Sequence, residues 1–98
     1  MRLADQFAPS PPPKSATLAQ HLAYERRRQR LKGRELAKLA GICTAVVYLA
    51  EKGEASYETQ VKLGLLLGVR RDVLLAEAKR EIKRHAQRVH AVLENAAA

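Results

Sequence analysis

An all-α fold follows from three features of this 98-residue chain. All four prolines, Pro9, Pro11, Pro12 and Pro13, precede Lys14, so the rest of the chain to Ala98 contains none. Leu, Ala, Glu, Lys and Arg dominate that proline-free stretch, and these residues lose least on entering a helix. The five glycines at 33, 41, 53, 64 and 68 then cut it into helix-sized pieces. No segment carries the alternating pattern of a strand. The predicted architecture is five helices, the last of them extended.

The elements follow in order. Residues 1–16 read as a disordered proline-rich arm, because proline fixes φ and cannot donate a backbone hydrogen bond. A first helix is expected from the N-cap Thr17 to Leu31, with Ala19, Leu22, Ala23 and Arg26 inward and Leu18 beside them. A second spans Gly33 to Ala40 and buries Leu36, Ala37 and Leu39. A third runs from Thr44 to Lys52 and buries Val47 and Ala50, with Gly53 placed as its C-cap. A fourth starts after the N-cap Ser56 and ends near Leu67, with Val61, Leu63 and Leu66 apolar. Gly68 terminates it, and a fifth, long helix runs from Arg71 to Asn95. Residues 17–70 thus form the folded domain and 71–98 a C-terminal helical extension.

Length and composition narrow the function. A chain this short supports a single core, and 47% hydrophobic residues suffice to build one. Eighteen Lys and Arg against ten Asp and Glu leave a net charge of +8. Such an excess points to a polyanion, nucleic acid first and an anionic membrane surface second. The charge is densest in the first folded third: Arg26, Arg27, Arg28 and Arg30 face only Glu25 within residues 17–31. The longest apolar run near the middle, Leu63 to Val69, is far short of a spanning helix. Residues 1–10 lack the apolar core of a secretory leader. The single cysteine, Cys43, excludes an internal disulfide and a multi-cysteine zinc site. A reducing, cytoplasmic setting is expected.

The stretch from Gly33 to Lys52 carries the functional signal. Two short helices joined by a three- or four-residue turn around a glycine make a helix-turn-helix unit. Ala37 must be small because the helices cross there, and Gly41 sits where the turn needs a positive φ. Leu36, Ile42, Val47 and Ala50 fix the crossing.

With these residues the chain resembles the Cro/phage-repressor (XRE-like) helix-turn-helix regulators of bacteria, phages and plasmids. The resemblance rests on Arg26 with Leu31, ELAKLAGI at 35–42, Val46 and Val47, EKG at 51–53, SYET at 56–59 and LGLLLGV at 63–69, covering roughly residues 18–76. It implies a five-helix lambda-repressor-like domain whose third helix enters the DNA major groove. It also implies an ion pair between Arg26 and Glu51, in keeping with the inward position of Arg26, where a lone charge would be costly. Base-facing positions are Thr44, Ala45, Val46, Tyr48 and Leu49. Backbone contacts fall to Arg27, Arg28, Arg30, Lys32, Gly33, Arg34 and Lys52.

The sequence departs from the family pattern at those base-facing positions. Only Thr44 and Tyr48 can hydrogen-bond there, so the bidentate Arg–guanine and Gln–adenine contacts are missing. Gly33 stands where the family usually has a phosphate-binding glutamine, and the connection after Gly53 is short. Two readings remain open. Either the apolar residues contact thymine methyls while cations and DNA shape do the rest, or the apolar face of the third helix binds a protein.

In the C-terminal helix, Leu75, Ala78, Ile82, His85, Val89, Val92 and Ala96 alternate spacings of three and four, an a/d seam widened by Ala86 and Leu93. An apolar stripe beyond the domain needs a cover, and a homodimer is the expected one. No phosphate loop, nucleophile motif or metal-ligand cluster stands out. His85 and His90 fall on different helix faces, His21 stands alone, and Cys43 suits a small packing residue at the start of the third helix. The expectation is a non-enzymatic, cofactor-free regulator of transcription, a dimeric repressor on a palindromic operator at the bacterial nucleoid. The alternative is a protein-interaction module such as an antitoxin or co-regulator. A membrane-surface role ranks last, because only four residues are aromatic.

Overall fold

The structure, a computed structural model, describes residues 11–13 and 15–97. Five α-helices follow one another: α1 Leu18–Arg28, α2 Gly33–Ala40, α3 Thr44–Glu51, α4 Tyr57–Leu67 and α5 Arg71–Ala97. The described residues contain no strand. The all-α, five-helix architecture with a long last helix is therefore as the sequence predicts.

Local chemistry sets the helix ends. The Thr17 hydroxyl accepts from the Gln20 N–H at 3.3 Å while the Gln20 side chain accepts from the Thr17 N–H at 2.9 Å, a reciprocal cap on α1. The Ser56 hydroxyl caps α4 by accepting from the Thr59 N–H at 3.3 Å. Gly41 ends α2 with φ of 69°, and the Ile42 N–H reaches back to the Ala37 carbonyl at 3.0 Å. The first helix stops three residues before the expected Leu31. Arg30 takes a left-handed φ of 57°, and the Leu31 N–H then bonds the Arg26 carbonyl at 3.0 Å. The same closure thus forms on an arginine instead of a glycine.

The core joins Leu18 and Leu22 of α1, Leu36, Ala37 and Ala40 of α2, Val47 and Ala50 of α3, and Leu63 and Leu67 of α4. Val69 and Val73 close it beneath the start of α5. Leu39, expected inside, is 67% exposed. At about 100° per residue it lies roughly 105° from the centre of the Leu36, Ala37 and Ala40 face. Leu66 is half exposed for a similar reason, since Gln60, Leu63, Gly64 and Leu67 form the inward stripe of α4. His21 is buried on α1, with its Nε2 lacking a hydrogen-bond partner among the described residues.

The first turns of α5 pack on the bundle through Val73, Leu74 and Glu77, whereas every residue from Ile82 to Ala96 is exposed. This projection stretches the molecule to 63 × 28 × 19 Å. Of the proline-rich arm at 1–16, residues 1–10 and 14 lie outside the described residues. Pro12 is half-buried and Ala16 is buried, its N–H bonded to the Pro13 carbonyl at 2.9 Å. Among the described residues no helix is long and apolar enough to cross a membrane.

Candidate nucleic-acid interface

The turn Gly41–Cys43 sets α2 against α3, with the small side chains of Ala37, Ala40 and Ala50 buried together with Val47. An ion pair locks this unit to α1. Arg26 Nε donates to Glu51 Oε1 at 2.5 Å and Nη2 to Oε2 at 3.3 Å, while Nη1 donates to the Leu31 carbonyl at 2.9 Å. The two side chains are only 12% and 10% exposed. One guanidinium therefore fixes the last residue of α3 and the loop before α2 at once. The pairing of Arg26 with Glu51 is present as the resemblance implies.

The outer face of α3 is apolar. Ala45, Tyr48 and Leu49 are exposed, and Thr44 and Val46 are half-buried. Val46 is not part of the core. Tyr48 does not simply face outward. Its ring lies toward the start of α2, so that a Cβ built on Gly33 would fall 2.6 Å from both its Cζ and its hydroxyl. The Arg26 guanidinium is 5.8 Å from the centre of the same ring. Gly33 is buried in consequence. The missing side chain at 33 and the large one at 48 are thus one feature: tyrosine fills the place a residue at 33 would take. With Tyr48 present, Gly33→Ala should be neutral or destabilising in chemical denaturation. In a Tyr48→Ala background the same change should stabilise by about 0.5 kcal/mol, the ordinary helical gain. Equal effects in the two backgrounds would dissociate the residues.

Cations sit on the elements adjoining α3 in the chain and in the bundle. Arg27, Arg30, Lys32, Arg34 and Lys52 are exposed and make no ion pair among the described residues. Arg28 differs, because its Nε and Nη2 both donate to Glu25 Oε2, at 3.0 and 2.8 Å. Helix geometry leaves the N–H groups of Gly33 and Arg34 without intrahelical acceptors, adding positive potential beside Lys32 and Arg34. Cys43 is exposed just before α3.

A second charged cluster escaped the sequence reading. Glu77, 6% exposed, pairs with Arg80 and Arg84, each at 3.0 Å, and Glu81 pairs with Arg84 at 2.9 Å and Arg88 at 3.2 Å. Burial pushes the Glu81 carboxyl up, but hydrogen bonds from Arg88 and Arg84 outweigh it and hold the pKa below its ordinary value. The ladder lines a cleft of about 540 Å³ together with Lys52, Ser56 and Gln60. Spacings of three and seven between acid and base are its visible signal. The seam residues Leu75, Ile82, His85, Val89 and Val92 are exposed and Ala78 is half-buried. No group of three potential metal ligands occurs among the described residues.

Comparison with family models, curated proteins and solved structures gives no match to this chain.

Proposed function

We propose that the protein is a sequence-specific, dimeric DNA-binding regulator of the Cro/phage-repressor type, a repressor that occludes a promoter at the bacterial nucleoid. The observation that carries this reading is the α2–turn–α3 unit, clamped by Arg26 and Glu51, with exposed cations, unpaired among the described residues, in and next to it in the chain. In this reading α3 enters the major groove. Thr44, Ala45 and Leu49 meet base edges and thymine methyls, with half-buried Val46 beside them. Lys32, Arg34, Lys52, Arg27 and Arg30 neutralise phosphates, and Tyr48 covers Gly33 at the start of α2. The exposed seam of α5 joins two copies.

Titration of a labelled operator duplex across a salt series tests the assignment. Lys32→Ala or Arg34→Ala should weaken specific and scrambled duplexes alike and lower the log–log salt slope by about 1 each. Thr44→Ala or Leu49→Ala should change the ratio between the two duplexes instead. Equal losses on both duplexes from all four changes would remove the assignment.

A protein-interaction module, such as an antitoxin or co-regulator, is the second reading. It draws on apolar exposure around the same unit: Leu39 at 67%, Tyr48 at 46% and Leu49 at 40%. In that case charge-neutral changes at Leu39 and Leu49 would abolish partner capture while leaving duplex binding unaltered.

A further inference from the structure

We infer that the projecting part of α5 pairs antiparallel with α5 of a second copy, with Leu75 of one chain against Val92 of the other and Ile82 against His85. The occupant follows from the heptad. Seam positions Leu75, Ile82 and Val92 are 53%, 69% and 66% exposed, so the described residues leave them largely uncovered. The residues flanking the seam decide the orientation. On one side the flank carries Glu81 and Arg88; on the other it carries Lys79, Ala86 and Leu93.

In a parallel pair each flank faces the opposite flank of the other helix. Glu81 would then meet Ala86, and Arg88 would meet Leu93, so no opposite charges meet and both are held against apolar groups. The layers would also be self-matched, setting Ala78 on Ala78, which leaves a gap, and His85 on His85. In an antiparallel pair like flanks meet. Glu81 then faces Arg88 of the other copy, twice by symmetry, and the layers become Leu75 on Val92, Ala78 on Val89 and Ile82 on His85. Each small or polar residue meets a larger apolar one. Arg88 already lies along the edge of the apolar groove formed by His85, Val89, Val92 and Leu93. It also reaches Glu81 at 3.2 Å within its own chain. Pairing would extend that contact into a four-charge network.

The register also fixes a distance, and this step rests on the DNA-binding reading above. Arg71 stands level with residue 96 of the second copy, 25 residues from that copy's own Arg71 (96 − 71). At about 1.5 Å per residue, the first residues of the two α5 helices, at the ends held on the bundles, are ~38 Å apart. Successive half-sites on one face of DNA are about 34–36 Å apart. A parallel pair would set those first residues side by side, at a helix–helix distance of about 10 Å.

Cross-linking of the full chain tests the orientation. In a Cys43→Ser background, Leu75→Cys and Val92→Cys chains are oxidised separately and as a mixture, beside sedimentation of the unaltered chain. The inference predicts a dimer in sedimentation and a covalent dimer in the mixture at several times the yield of either chain alone. Efficient cross-linking of Val92→Cys by itself would overturn the orientation and leave self-association standing. A monomer in sedimentation would overturn both. Formation of the mixed cross-link without any operator binding would support the antiparallel pair and count against the DNA-binding reading alone.

Discussion

Glu51→Ala is expected to lower the unfolding free energy by about 3 kcal/mol, within the range for breaking a buried ion pair from one side. For a domain of this size that is a fall in melting temperature of roughly 10 °C or more. The loss is large because the Arg26 guanidinium, 12% exposed as a side chain, keeps only the Leu31 carbonyl as a hydrogen-bond acceptor among the described residues, beside the Tyr48 ring. Replacing both partners with apolar residues, as in Arg26→Met with Glu51→Leu, should cost much less than the two single changes summed, since no charge is then stranded. Denaturant titration of the four proteins completes the cycle. A single change costing under about 0.5 kcal/mol would place the pair among ordinary surface contacts.

Leu36→Ala is expected to cost about 3 kcal/mol, in the range for a leucine removed from a packed core. Leu36 is 1% exposed and belongs to the same core cluster as Val47, Ala50 and Leu63. The void would open directly behind the helix-turn-helix unit. Well below its melting temperature, the variant should keep the operator preference of the parent chain, because the outer face of α3 is untouched. A shifted preference without loss of stability would show that core packing tunes the angle of α3.

The helix ends divide sharply in how well the sequence displays them. α2, α3 and α4 are each followed by a glycine at positive φ, namely Gly41, Gly53 and Gly68, and all three ends are plain from the glycine pattern. α1 closes with the same back-bond on Arg30, where an L side chain bears some strain. Neither glycine nor asparagine signals it, so Leu31 was expected to continue the helix. The inward positions of α1 and α3 were legible from spacing. Leu39 was not, because in an eight-residue helix one extra leucine is easily assigned to the wrong side of the stripe.

The candidate interface was legible in its cations and in the Arg26–Glu51 pair, but not in how its side chains lean. Gly33 read as a lost phosphate contact and Tyr48 as a base-facing residue. Their mutual fit, with the ring of one over the missing side chain of the other, depends on the crossing of α2 and α3 and so needs coordinates. The arginines of α5 counted toward the net charge, yet Arg80, Arg84 and Arg88 are engaged by Glu77 and Glu81. Three arginines against two glutamates leave that cluster nearly neutral, whereas Arg27, Arg30, Lys32 and Arg34 around α1 and α2 make no ion pair among the described residues.

Selection of bound duplexes from a random DNA library, repeated at low and physiological salt, tests a sequence-specific dimer most directly. The expected result is an enriched palindrome, retained at both salt concentrations, with half-sites one helical turn or a multiple apart. Binding that enriches no sequence and collapses at the higher salt would reduce the interaction to charge alone and contradict the account.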